Sequence, residues 1–142
     1  MKKASWILLT VVGAAITLLS LVSAVHAYWT DDDYAIGGAR VSRVAGGDAV
    51  RETALRGIRG TSAAYGAAFG VLFLAVVLGP YRRGEVWAWK ALFIAGLTQA
   101  LIVFLRVPFL GTQFGVSAAI TQGGLTAVGL LLDVSRLKGP AR

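Results

Sequence analysis

The chain has 142 residues, of which 56% are hydrophobic and 15% are charged, and its mean hydropathy is +0.70. Charge-free runs separate short charged patches, and these runs are long enough to cross a bilayer as helices, which takes about 20 apolar residues each. This pattern excludes an ordinary soluble domain. The lack of cysteine excludes disulfides, thiolate catalysis and cysteine-ligated metal.

The net charge of +7 would suggest nucleic acid as a partner if the chain were soluble. Here the basic residues border the apolar runs, whereas a single-strand binder needs aromatic residues interleaved with a basic groove. We therefore predict that anionic membrane lipids are the partners of these charges, and that nucleic acid is not.

The first apolar run is predicted to be a membrane-spanning helix over residues 5–27. The same run has the layout of a secretory signal peptide, because two lysines precede it and Val25-His26-Ala27 approximates a cleavage site. Its length exceeds the roughly 7 to 15 residues of a signal-peptide apolar region, so we favour a retained helix. Residues 28–47 are polar, contain two Gly-Gly pairs and are predicted to form an outer loop.

The second span is predicted over residues 60–79, as the continuation of a helix that starts directly after Asp48. Asp48 is suited to cap that start. Glu52 lies four residues before Arg56, which is the favourable order for a helical ion pair. We expect the helix to end at the Gly-Pro pair that closes this span.

Two further spans are predicted over residues 86–105 and 114–132. The turn before the third span contains Tyr81, Trp87 and Trp89, which are typical of an interfacial aromatic belt. All four spans carry a stripe of small or polar residues, the kind of surface that helices use for contact in lipid. The first stripe includes Thr17 and Ser20, and the second includes Gly66 and Gly70. The sequence therefore predicts an all-α fold, in which one domain forms an integral membrane four-helix bundle.

Gln99 in the third span and Gln122 in the fourth are predicted to lie at similar depth, given a rise of about 1.5 Å per residue. A direct or water-mediated contact between them is expected, either as helix packing or as part of a ligand site. Together with Tyr65, His26 and Arg106 they form a candidate site for a hydrophobic small molecule in the outer half of the bundle.

Arg106 interrupts the apolar run FLRVPFL, and Pro108 prevents regular continuation of the helix. We place this cation at the outer interface, where Asp31, Asp32 and Asp33 are the nearest acidic residues. Arg106 is predicted either to pair with these aspartates or to contact an anion or a lipid headgroup. The aspartates lack the spacing of a calcium-binding loop, so no metal site is predicted.

Asp133, at the inner end of the fourth span, has two interpretations. Ionisable groups within membranes often serve proton relays. The basic residues Arg82, Arg83 and Arg136 fall on the same side, however, so we favour a salt bridge that closes the bundle. The sequence contains no catalytic motif and no cofactor-binding motif, so neither catalytic residues nor cofactors are predicted.

The placement of lysine and arginine predicts which side of the membrane each loop occupies. Eight of the 14 basic residues fall on the side of the two termini and six fall on the other side. This small excess predicts that the N- and C-termini are cytoplasmic.

The turn YRRGEVWAWKAL, residues 81–92, resembles a turn of small bacterial four-helix membrane proteins that are broadly DoxX-like. The helix count and the chain length agree with this resemblance. It implies a four-helix inner-membrane protein and assigns no functional residue.

The predicted function is that of a non-catalytic accessory subunit or scaffold in a larger membrane assembly, either with partner subunits or as a homo-oligomer. This prediction depends on the lack of a complete catalytic motif and on the small-residue surface, including residues 111–115, which exceeds what one bundle needs for its own packing. The alternative is a binding protein or enzyme for a lipid or another hydrophobic small molecule that uses the outer-half site.

Overall fold

The computed structural model describes residues 2–30, 33–36, 38–111 and 116–138, with the side chains of all but Lys2, Ile36, Leu110 and Lys138. These residues form six helices: α1 (Lys2–Tyr28), α2 (Val41–Ala45), α3 (Ala49–Val76), α4 (Val86–Phe104), α5 (Arg106–Leu110) and α6 (Val116–Leu131). A short antiparallel hairpin precedes α2, with strands of two residues each: β1 (Ala35–Ile36) and β2 (Ala39–Arg40). A 3₁₀ turn over Val134–Lys138 follows α6. The predicted all-α class is confirmed.

Three helical stretches are long and apolar enough to cross a membrane: Lys3–Tyr28, Ala49–Tyr81 and Val86–Phe109. Large apolar side chains on them are exposed, as with Leu19 at 70% and Ile102 at 62%, which suits contact with lipid. α6 is apolar too but has 16 residues, fewer than the about 20 of a full span. Length and composition thus indicate a membrane protein with three candidate spans among the described residues.

The chain divides into two compact units. The first consists of Met1–Ala14 and Val71–Arg142, and the second of Ala15–Gly70. The first unit contains the start of α1, the end of α3, and α4 packed along α6. The second contains the remainder of α1, the hairpin, α2 and most of α3.

Within the second unit, α1 and α3 pack through small residues. A methyl group added to Gly66 of α3 would lie 2.5 Å from the Ser20 hydroxyl oxygen of α1, and Gly70 lies in the same way against Thr17. A spacing of four places the two glycines on one face of α3. This is the small-residue contact that lets helix backbones approach closely, and both predicted stripes take part in it.

The start of α3 follows the prediction from sequence. Asp48 Oδ1 accepts hydrogen bonds from the backbone amides of Val50 at 2.9 Å and Arg51 at 3.3 Å, so it is the predicted cap. The Glu52 carboxylate lies 3.1 Å from the Arg56 guanidinium, which confirms the predicted ion pair.

The end of α3 differs from the prediction. The helix does not stop at the Gly-Pro pair but widens into a π turn over Val77–Tyr81, and the amide of Arg82 donates to the carbonyl of Val77. The wider turn accommodates Pro80, which has no N–H to donate. The chain reverses at Gly84, whose φ of 96° favours glycine.

Candidate functional site

A buried polar cluster joins three parts of the first unit: the start of α1, the π turn and the end of α6. The Ser5 hydroxyl donates to the carbonyl of Gly129 at 2.7 Å, and its oxygen lies 2.6 Å from the Tyr81 hydroxyl. Because a serine hydroxyl has one proton, the Tyr81 hydroxyl is the donor in the second bond. Ser5 and Tyr81 have no exposed surface. These bonds satisfy polar groups that would otherwise be costly to bury.

An ion pair between Asp133 and Arg136 completes this cluster. The Asp133 side chain is fully buried and that of Arg136 is 9% exposed, and Arg136 Nη2 donates to Asp133 Oδ2. Arg136 Nη1 donates to the Tyr81 carbonyl, and the guanidinium carbon lies 4.1 Å from the centre of the Tyr81 ring. Among the described residues, Asp133 Oδ1 has no hydrogen-bond partner. Arg136 is therefore the group that compensates the buried carboxylate.

The last carbonyl groups of α6 are also bonded by side chains. Trp89 Nε1 of α4 donates to the carbonyl of Leu130 at 3.0 Å, as Ser5 of α1 does to that of Gly129. Helix ends leave four carbonyls without partners in the helix, so these two bonds tie α1 and α4 to the end of α6.

A cavity of about 460 Å³ adjoins this cluster and shares Arg136 with it. It is lined by Lys3, Trp6, Arg82, Arg83, Gly84 and Arg136. The Arg82 guanidinium lies 4.8 Å from the centre of the Trp6 ring, a cation–π distance.

Arg83, another residue of the cavity wall, pairs with Glu85 at 3.0 Å. A hydrogen bond from Trp87, together with that from Arg83, holds the pKa of Glu85 below its usual value.

An apolar groove of about 330 Å³ runs between α4 and α6 in the same unit. It is lined by Leu92, Phe93, Gly96, Leu97, Ala100, Phe104, Ala119, Ile120, Gly123, Gly124, Thr126, Ala127 and Leu130. The two helices are also joined by the predicted glutamine contact, in which Gln122 Nε2 donates to Gln99 Oε1 at 3.0 Å.

The hairpin region of the second unit uses Asp33 as an internal hydrogen-bond acceptor. The Asp33 carboxylate accepts bonds from the Ser42 hydroxyl at 2.6 Å and the Ser42 amide at 2.9 Å. These two bonds hold the pKa of Asp33 below its usual value. The Arg59 guanidinium lies 4.0 Å from the centre of the Tyr34 ring, and that of Arg56 lies 5.4 Å from it.

The five candidate ligand-binding residues are distributed over both units. Gln99 and Gln122 are in contact in the first unit, where Arg106 is exposed at the start of α5. His26 and Tyr65 belong to the second unit, where His26 is half-buried and Tyr65 is 74% exposed. Binding of a hydrophobic molecule by these residues stays a prediction.

Two acidic residues for which ion pairs were predicted, Asp133 and Asp33, each pair with an arginine of their own unit. Asp133 pairs with Arg136, whereas Arg82 packs on Trp6. Asp33 lies 3.8 Å from Arg40, because the short hairpin brings the chain back beside it. The other two aspartates of that cluster, Asp31 and Asp32, lie outside the described residues.

Sequence reasoning missed Ser5 and misplaced Tyr81. Tyr81 was expected in an interfacial aromatic belt, yet it is fully buried against Ser5, 76 positions away. The only sequence signal for the role of Ser5 was a hydroxyl group near the start of a largely apolar helix. That signal does not indicate that Tyr81 and the Gly129 carbonyl are its hydrogen-bond partners.

Comparison with known proteins adds no assignment to these contacts. Scans of protein-family models, curated proteins and solved structures found no match to the chain.

Proposed function

We propose that the chain is a non-catalytic integral membrane protein that acts as an accessory subunit or scaffold in a larger assembly. In this proposal it is a four-helix bundle of a bacterial inner membrane, with both termini in the cytoplasm. The observation that carries the proposal is the small-residue surface of the groove between α4 and α6. Residues 112–115, which belong to the small-residue surface predicted from sequence, lie outside the described residues.

Two glycines of this groove, Gly123 and Gly124, have no close packing partner among the described residues. A methyl group added to Gly123 or Gly124 would meet nothing within 4 Å. Each glycine costs about 1 kcal/mol of helix propensity relative to alanine, so two adjacent ones weaken α6, and no packing contact with the described residues offsets that cost. Small residues let another helix backbone approach closely in lipid, which accounts for this pair if a partner helix lies in the groove.

A binding protein for a lipid or another hydrophobic small molecule is the alternative. Its support is that the groove is almost entirely apolar and that its volume of about 330 Å³ lies within the range of ligand sites. The Gln99–Gln122 pair supplies polar atoms on the same two helices.

The absence of cysteine allows a photo-cross-linking test in native membranes. A benzophenone maleimide is attached to Ala119→Cys, which lines the groove, and to Ala118→Cys, its neighbour, which does not. We expect the Ala119→Cys chain to give a product with a second polypeptide, identified by mass spectrometry, and the Ala118→Cys chain to give little of it.

Two outcomes would contradict the proposal. Lipid or small-molecule adducts at Ala119, without any polypeptide product, would favour the alternative. Equal polypeptide cross-linking from both positions would show that the groove is not the preferred contact.

A further inference from the structure

The cavity beside the polar cluster has the composition of an anion-binding site. Three arginines and one lysine line it, together with Trp6 and Gly84, and none of its lining residues is acidic. Its volume of about 460 Å³ is in the range of small-molecule sites.

Two of these cations have no carboxylate partner within the described part of the chain. Asp133 forms an ion pair with Arg136. Glu85 forms an ion pair with Arg83 and accepts a hydrogen bond from Trp87. Lys3 and Arg82 therefore contribute charge to the cavity that no acidic side chain there compensates.

The charge of the whole molecule is concentrated in the same unit. Residues 15–70 contain five basic and five acidic residues, so the net charge of +7 belongs entirely to residues 1–14 and 71–142. An anion is therefore attracted to the first unit by its total charge as well as by the cavity.

Two of the cavity arginines are held in place before any ligand binds. Arg136 is 9% exposed and bonded to Asp133 and to the Tyr81 carbonyl, and Arg82 lies over the ring of Trp6. Fixed guanidinium groups lose little freedom on binding an anion, and their geometry suits phosphate oxygens.

The cavity also lies at the ends of two candidate membrane spans. One candidate span begins at Lys3 and another ends at Tyr81, one residue before Arg82. Basic residues at this level meet the phosphate groups of lipids.

We propose that the cavity binds a phosphate-bearing anion, supplied either by the headgroup of an anionic phospholipid or by free phosphate. Lys3 and Arg82 provide the uncompensated charge, and Arg136 fixes one wall. The site is separate from the groove between α4 and α6 and does not depend on what occupies that groove.

The test measures binding of phosphatidylglycerol to the full chain in detergent by native mass spectrometry, with phosphatidylcholine as the zwitterionic reference. The cavity variant is Lys3→Gln with Arg82→Gln. The matched control, Lys90→Gln with Arg43→Gln, removes the same residue types from exposed positions that do not line the cavity. Each positive charge removed should weaken binding about five-fold. We therefore expect the cavity variant to bind phosphatidylglycerol roughly 25-fold more weakly than the wild type, and the affinity of the control to change little.

A second arm distinguishes the two sources of phosphate. Inorganic phosphate is titrated against the phosphatidylglycerol complex of the wild-type chain. Displacement at phosphate concentrations similar to those of the lipid assigns the site to free phosphate, and persistence of the complex assigns it to the headgroup. Both results support an anion site at these residues.

Two results would overturn the proposal: equal binding of the two lipids by the wild type, or equal loss in the cavity and control variants. Circular dichroism checks that each variant retains its helices. If the double variant loses helicity, two single variants at exposed positions replace it: Lys3→Gln in the cavity and Lys90→Gln as the control. We then expect Lys3→Gln to bind phosphatidylglycerol about five-fold more weakly than the wild type, and Lys90→Gln to change little.

Discussion

Asp133 is a fully buried carboxylate whose charge is balanced by one guanidinium, that of Arg136. A buried ion pair adds little net stability, because the cost of removing both groups from water offsets their attraction. Removing only one partner leaves a buried charge without compensation, which is far more costly. This asymmetry makes Asp133 the residue at which the cluster is most sensitive to substitution.

We predict that Asp133→Ala lowers the free energy of unfolding by about 3–5 kcal/mol, because Arg136 loses its compensating charge. The measurement is a denaturation curve in detergent followed by circular dichroism. Asp48→Ala is the control, since it removes an exposed helix cap worth about 1 kcal/mol. Similar losses in the two variants would show that the Asp133 pair is not the critical contact.

The Asp33 carboxyl group should titrate below the usual aspartate range. Its pKa is lowered mainly by the side-chain and backbone hydrogen bonds of Ser42, so the ionised form stabilises the hairpin region. This contribution is present above the pKa of the unfolded chain and is lost as the pH falls through the lower folded pKa. We predict that Ser42→Ala raises the titration midpoint of Asp33, measured from the carboxyl carbon signal by NMR. An unchanged midpoint would contradict the assigned cause.

At the scale of elements, the packing of α1 against α6 in the first unit depends on Gly129. A methyl group added there would lie 2.7 Å from Leu9 Cδ2 and 2.9 Å from Leu9 Cγ. Leu9 is fully buried, so it has little room to move away. The close approach also brings the Gly129 carbonyl to Ser5.

Gly129→Ala is therefore predicted to destabilise the chain by about 1–3 kcal/mol through overpacking against Leu9. Gly57→Ala in α3 is the matched control, because the added methyl group would meet no atom of the described residues within 4 Å. It should gain up to about 1 kcal/mol from helix propensity. The same detergent denaturation curves test both, and a stabilising Gly129→Ala would refute the close approach.

Local patterns predicted the elements better than the contacts between distant ones. The cap at Asp48 involves residues within one helical turn, and the spacing of Gly66 and Gly70 places both on one face of α3, so local spacing indicates both features. The Gln99–Gln122 bond was predictable because both residues fall at similar depth in neighbouring helices.

The remaining contacts depend on tertiary packing. The burial of Tyr81 by Ser5 has no local signal, since an aromatic residue beside two arginines is equally typical of a membrane interface. The π turn at Pro80 was missed because proline usually ends a helix. The four-helix bundle and the DoxX-like resemblance stay predictions.

At the scale of the whole molecule, the distribution of basic residues predicts orientation. The proposed topology places both termini in the cytoplasm, because basic residues near span ends are retained there. Val44→Cys in α2 and Ser135→Cys after α6 test it without changing any charge. In bacterial spheroplasts, a membrane-impermeant maleimide should label Val44→Cys and should label Ser135→Cys only after permeabilisation. The opposite labelling pattern would contradict the proposed orientation and place both termini outside the cytoplasm.

The bond between Ser5 and Gly129 has a consequence for biosynthesis. The two residues are 124 positions apart, so at about 5 to 20 residues per second a ribosome needs roughly 6 to 25 s between them. During that interval Ser5, in the first turn of α1, keeps a hydroxyl group whose final acceptor has not yet been synthesised. The contact between α1 and α6 therefore forms only after α6 has been translated.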